Sequence, residues 1–136
     1  RTPMQWDESA YAGFSQTTPW LEVNPNYQTI NVKKNEAEPN SILNYYRQIL
    51  KLRKELPVIV YGDFIEHEKK NKYLIFYERN YQDEQILVIG NYRNKATPLR
   101  ININFDDYEL ILHNYQVSDH TLLLPYEARV YRRRKL

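Results

Sequence analysis

Beyond Val58 the chain is interrupted about every ten residues, and this punctuation restricts its fold more than any other feature. The runs VIVYG, DFIEHE, KYLIFYER, EQILVIGNY, PLRINI, YELILHN, TLLLP and EARVYRR are short and rich in Val, Ile, Leu, Phe and Tyr. Breakers separate them: Gly62, the stretch Lys69 to Asn71, the stretch Asn80 to Glu84, Asn94 with Pro98, Asp106 with Asp107, and Pro125. β-Branched and aromatic side chains suit a pleated, half-buried surface. Short strands at this spacing, with turn chemistry between them, predict an antiparallel sandwich or barrel over residues 58–136. In ARVYRR, Val130 alternates with Arg129 and Tyr131, the period-two pattern of a strand with one buried face.

Residues 1–57 read differently. Residues 1–39 hold Pro3, Gly13, Pro19, Pro25 and Pro39, with Trp6, Phe14 and Trp20 among them and little periodicity. Prolines at that density stop helices and central strands, so the expectation is a long irregular loop whose aromatic side chains must pack on something. Residues 40–56 then predict one helix, with Ile42, Tyr45, Tyr46, Ile49, Leu50 and Leu56 on one apolar face. Asn40 or Ser41 supplies the N-cap; Lys51, Arg53 and Lys54 oppose the helix dipole near its end, and Pro57 terminates it.

Composition excludes several classes of function. The net charge of +2 leaves no nucleic-acid footprint, and the cluster Arg132 to Lys135 reads as a solvated tail. The chain contains no cysteine, which rules out disulfides and thiolate metal sites and suits a reducing cytoplasm. No apolar run approaches a membrane span. The chain opens at Arg1 in residues that read as the interior of a longer protein.

A search for self-contained chemistry finds none. His67, His113 and His120 fall in no metal-ligand spacing and are expected at the surface or hydrogen-bonded. With three glycines there is no phosphate cradle, and no nucleophile elbow is present. Asp106 and Asp107 are adjacent in a turn and diverge. Glu66 and Glu68 share a strand face beside Lys69 and Lys70 and read as a solvated strand end. No metal, cofactor or catalytic residue is assigned. Among 13 tyrosines, Tyr73, Tyr77, Tyr92 and Tyr108 could form platforms for sugars, but packing within strands is the favoured explanation.

The most specific signal is a series of motifs: RTPMQWD (1–7), AGF (12–14), PW (19–20), VNPNY (23–27) and INV (30–32). In this order and spacing they resemble the segment after the last catalytic carboxylate in the oligo-1,6-glucosidases, trehalose-6-phosphate hydrolases and dextran glucosidases of the α-amylase superfamily. PNSILNYYRQILKLRK resembles that family's final barrel helix, and VIVYGDF its entry into the C-terminal β-domain. The resemblance covers the whole chain and is strongest over residues 1–65.

The resemblance implies a (β/α)₈ barrel followed by an antiparallel β-sandwich, with residues 1–57 the end of the barrel and residues 58–136 the C-terminal domain. It implies retaining hydrolysis of α-glucosidic bonds, which needs two carboxyl groups about 5–5.5 Å apart. In the family all the catalytic carboxylates precede RTPMQW, so none maps onto this chain and the chain alone should be inactive. Arg1 matches the family arginine that reaches the innermost glucose and pairs with an upstream aspartate, and its planar guanidinium suits both partners. Gln5, Trp6 and the Asn24 to Tyr27 turn are expected to build the loop beside the barrel mouth.

The implied partners are an α-glucosidic oligosaccharide and the chain's own catalytic barrel, which the β-domain would stabilise; without the barrel the chain is expected to self-associate. Isomalto-oligosaccharides are the first choice of substrate and trehalose 6-phosphate the second. A free-standing carbohydrate-binding sandwich and a non-catalytic interaction domain are the readings from other classes.

Overall fold

The computed structural model describes residues 1–135 and divides the chain into two compact units, Arg1–Leu50 and Lys51 onward. The division falls within a helix.

In the first unit the expected irregular loop is organised by short helical turns and by asparagine caps. Ala10–Gly13 and Pro25–Gln28 are 3-10 turns, and Val32–Ala37 forms helix α1. Asparagine and serine side chains hydrogen-bond nearby backbone, which favours such turns where hydrophobic periodicity is absent. Asn24 accepts from the Asn26 amide, and Asn31 accepts from the Lys34 amide at 2.9 Å while donating to the Tyr27 carbonyl at 2.8 Å. Tyr11, Ala12 and Gly13 all adopt positive φ (55°, 60° and 65°). At Gly13 a Cβ would lie 2.8 Å from the Asp7 carboxylate, so both backbone and space call for glycine there.

Helix α2 spans Ile42–Glu55. Of its two possible caps, Ser41 is used: its Oγ accepts from the Asn44 amide at 3.2 Å and donates to the Asn35 carbonyl at 2.5 Å.

Pro57 begins a helix as well as following one. The run VIVYG, expected as a strand, lies in helix α3, Pro57–Tyr61. Proline at the first helical position has its φ preset and gives up an amide that would be unpaired anyway. Gly62 closes the helix by donating to the Val58 carbonyl at 3.1 Å. A Cβ on Gly62 would meet that same oxygen at 2.5 Å.

The sheet begins after this turn. Strands β1 (Ile65–His67), β2 (Leu74–Tyr81), β3 (Glu84–Asn91), β5 (Glu109–His113) and β7 (Ala128–Arg134) form one antiparallel sheet in the order β1-β2-β3-β7-β5. Strands β4 (Thr97–Pro98) and β6 (Leu122–Leu123) form a small second sheet. This antiparallel β-rich fold is the expected class. Of the run PLRINI only Pro98 lies in a strand, at the end of the two-residue ladder that β4 forms with β6. Beyond it, Leu99, Ile101 and Ile103 keep the alternation and still pack on the core.

Central strand β3 is covered on both faces. Its Leu87 and Ile89 pack with Leu74, Phe76, Tyr131, Leu99 and Leu123, beneath the small sheet. Its Ile86 packs on the opposite face with Leu56 and Val58, around α3. This explains its unbroken apolar run, ILVI, where alternation would mark a strand wet on one side.

Strand β7 reverses the expected burial. Arg129 and Tyr131 are 2% and 1% exposed, whereas Val130 is half-buried on the other face. Nor is the basic cluster a free tail. Arg132 pairs with Glu84, Arg133 donates to Gln85 Oε1 at 2.7 Å, and the Lys135 amide donates to the Asp83 carbonyl at 2.6 Å.

Candidate functional site

The motif residues of the first unit build one knot. Gln5 Nε2 donates to Asn26 Oδ1 at 2.9 Å and to the Ile30 carbonyl at 2.5 Å. The Val32 and Lys33 amides donate to the Gln5 and Trp6 carbonyls at 2.9 and 3.0 Å. Three of the motifs noted in the sequence, at residues 1–7, 23–27 and 30–32, are therefore neighbours in space. Gln5 and the Asn24 to Tyr27 turn act as structure here: the amide side chain replaces a missing strand ladder. Asp7 closes its own turn on Ser9, whose side-chain and backbone hydrogen bonds hold the Asp7 carboxyl below its usual range.

Beside this knot lies an open groove of about 570 Å³. Pro3, Met4, Ile30, Val32, Ile42 and Tyr46 are among its lining residues, and it is mainly apolar. Arg1 is exposed and forms no salt bridge among the described residues. Trp20 is 93% exposed and Ile42 87%. Large apolar side chains at that exposure are unusual on a surface that faces water.

In the second unit two of the tyrosines singled out from sequence, Tyr73 and Tyr92, are cross-strand neighbours, the Tyr92 amide donating to the Tyr73 carbonyl at 2.8 Å. Tyr77 lies on the sheet face of Val88, its ring 5.0 Å from that of Phe64. Tyr73 is half exposed under the Arg93 guanidinium, which sits 4.4 Å from the ring centre. Tyr108 lies on the opposite face and donates to Gln85 Oε1 at 2.7 Å.

The histidines are likewise separated. His113 contacts the Tyr115 carbonyl, His120 stacks on Phe105, and His67 stacks on Phe76 with ring centres 4.6 Å apart. Among the described residues no three His, Cys, Asp or Glu side chains are placed to hold a metal ion. Glu66, Glu68, Asp106 and Asp107 are exposed, as expected of a strand end and a solvated turn.

Two features escaped the sequence reading. The first is a buried ion pair, Glu127–Arg129, at 2.7 Å with side chains 1% and 3% exposed. Burial alone would lower the arginine's pKa; the hydrogen bond and charge of Glu127 reverse this and raise it. The only sequence hint was a Glu-x-Arg spacing at the start of a strand, which places both on one face. The second is a polar cleft of about 440 Å³ containing His67, Glu78, Gln85, Tyr108 and Arg133. The five come from five separate segments, so no local motif announces it.

Among the described residues, no helix is long and apolar enough to cross a membrane.

Residues 1–62 match the model of the α-amylase catalytic domain. The chain is 42% identical over 139 aligned residues to an oligo-1,6-glucosidase of Parageobacillus thermoglucosidasius, covering 97% of this chain and 25% of that protein. It is 38% identical over 138 residues to an oligo-1,6-glucosidase of Bacillus cereus, again covering 97% and 25%. Among solved structures, a trehalose-6-phosphate hydrolase of Bacillus licheniformis superposes with a TM-score of 0.89 at 32% identity, covering 98% of this chain and 26% of that one. The chain thus spans about a quarter of the length of the relatives it matches. The knot of RTPMQW-type motifs, the antiparallel β-fold and these similarities together make the chain a member of the α-amylase superfamily, related to the oligo-1,6-glucosidases and trehalose-6-phosphate hydrolases.

Proposed function

We propose that the chain is the non-catalytic C-terminal part of a retaining α-glucosidase that hydrolyses α-1,6-linked glucose oligosaccharides. The observation that carries this reading is the 42% identity to an oligo-1,6-glucosidase across almost the whole chain. Retaining hydrolysis needs a nucleophile and an acid on two facing carboxyl groups. The deeply buried carboxylate here, Glu127, is instead committed to Arg129 and to the Leu124 amide, at 2.7 and 2.6 Å. The role proposed for the C-terminal β-domain, residues 58–136, is to stabilise the catalytic barrel.

The apolar groove of the first unit, with exposed Ile42, Tyr46, Ile49 and Leu50 on α2, supports a surface that the rest of the barrel covers. At about 25 cal/mol per Å² such coverage contributes substantially to the stability of the whole enzyme. The proposed role of Arg1 is to bind the innermost glucose in the full-length enzyme.

The test has two parts. The purified chain should cleave an aryl α-glucoside no faster than buffer. In the full-length enzyme, Arg1→Ala should reduce kcat/KM for isomaltose roughly 10- to 100-fold, the effect of losing a charged hydrogen-bond donor. Hydrolysis by the isolated chain refutes the first reading, and unchanged kinetics refute the second. The trehalose-6-phosphate hydrolase similarity, at a TM-score of 0.89, supports trehalose 6-phosphate as the second substrate to assay.

A further inference from the structure

We propose that the polar cleft of the second unit is a non-catalytic binding site for a neutral sugar of the α-glucoside class. The cleft measures about 440 Å³, within the range of small-molecule sites, roughly 300–1,000 Å³. Its floor is organised from below. Gln85, 5% exposed, donates through Nε2 to Glu78 Oε2 at 3.0 Å. Its Oε1 accepts from Tyr108 Oη and Arg133 Nη2, both at 2.7 Å. Asn80 Nδ2 holds the other Glu78 oxygen at 3.1 Å. Both carboxylate oxygens are thus oriented, and each retains accepting capacity for a further donor.

Flat surfaces flank this floor. His67 stacks on Phe76, and the Arg133 guanidinium lies over the Tyr108 ring at 4.7 Å from its centre. Two buried nitrogens of the cleft, His67 Nε2 and Arg133 Nε, have no hydrogen-bond partner among the described residues. His67 Nε2 is 3.3 Å from Glu78 Oε2 without making a hydrogen bond to it. Buried polar atoms without partners are uncommon in folded proteins.

Charge selects the ligand. Arg100 and Arg133 bring two positive charges, and Glu68 and Glu78 two negative ones. The balance gives an anion or a cation no net attraction. What remains is a mixture of fixed donors and acceptors beside planar side chains. Sugar hydroxyls both donate and accept, and a pyranose presents a flat C–H face to an aromatic ring. Glu68, at the rim, holds a left-handed backbone (φ 53°) unusual for its side chain.

This inference rests on the α-glucosidase reading only for the choice of sugar. The ¹⁵N-labelled chain would be titrated with isomaltose, maltose and inorganic phosphate and followed by amide chemical shifts. The expected result is saturable shifts with isomaltose or maltose, centred on Glu78, Gln85, Arg100 and Tyr108, and none with phosphate. Glu78→Gln and Arg100→Gln, which preserve size or lie at the exposed rim, should each weaken binding roughly tenfold. No saturable shift, shifts centred on Tyr73 and Tyr92, binding of phosphate but neither sugar, or affinity unchanged in both variants would each overturn it. Any of these leaves isomaltose hydrolysis by the full-length enzyme unaffected, so the two readings fail separately.

Discussion

Replacing Arg129 with Met should be among the most damaging single changes in the second unit. Arg129 donates from Nε to Glu127 Oε1, from Nη1 to the Asp119 carbonyl and from Nη2 to the Leu122 carbonyl, each at 2.7 Å. The fork therefore ties β7 to the segment that leads into β6. Met fills similar space but provides none of these donors and leaves the Glu127 carboxylate buried without a counter-charge. Breaking a buried pair from one side costs about 3–5 kcal/mol. At ~4–8 °C per kcal/mol for a domain of this size, the melting temperature should fall by at least about 12 °C.

Lys should rescue little, because one ammonium group cannot reach three divergent acceptors as a planar guanidinium does. The double variant Glu127→Gln, Arg129→Met should be less damaged than the sum of its single changes, by on the order of 1–3 kcal/mol, since the stranded charge is gone. It should still fall short of the native chain, because the Asp119 and Leu122 carbonyls lose their donors in either background. Urea denaturation of the four proteins measures the cycle. A loss below about 1 kcal/mol for Arg129→Met, or strict additivity, would refute the assignment of this pair as the keystone of β7.

Other consequences can be checked in the same assay. Leu123, 0% exposed, should cost about 2–5 kcal/mol when changed to Ala, whereas exposed Leu124→Ala should stay within about 0.5 kcal/mol. Burial pushes the Tyr131 hydroxyl above its ordinary pKa, with Arg129 acting the other way, and burial raises Tyr77 and Tyr108 too. A raised folded-state pKa leaves stability intact below the unfolded value, about 10, and removes it as pH climbs past that value. The urea midpoint should therefore decline above about pH 10, and a flat midpoint to pH 11 would contradict this.

The β-fold was legible because its cause is local: short runs of β-branched, apolar and aromatic residues between turn residues mark β2, β3, β5 and β7 directly. The error at residues 57–61 has an equally local cause. VIVY has strand-forming side chains, but Pro57 before it and Gly62 after it are the start and stop signals of a short helix, and here they prevailed. Arg129 was misplaced because burial of a charge depends on partners that alternation cannot display. Glu127 was two residues away, yet the Asp119 and Leu122 carbonyls were set by a loop. The order of the N-terminal motifs was visible, but their meeting through Gln5, Asn26 and Ile30 was not. The cleft was invisible for the same reason: Gln85 and Arg133 pair across β3 and β7, a register known only once the sheet has formed.

The two margins of the main sheet govern how copies of the chain can associate. β1 has three residues, including Glu66 and His67, and β5 carries a register shift between Leu110 and Leu112. A template for amyloid-like growth needs a long, flat and regular row of free amides and carbonyls. Neither border provides one, so crowding many copies together should not zip their strands into fibrils. Any clumping of this polypeptide should proceed through side-chain stickiness and remain reversible by dilution or mild detergent.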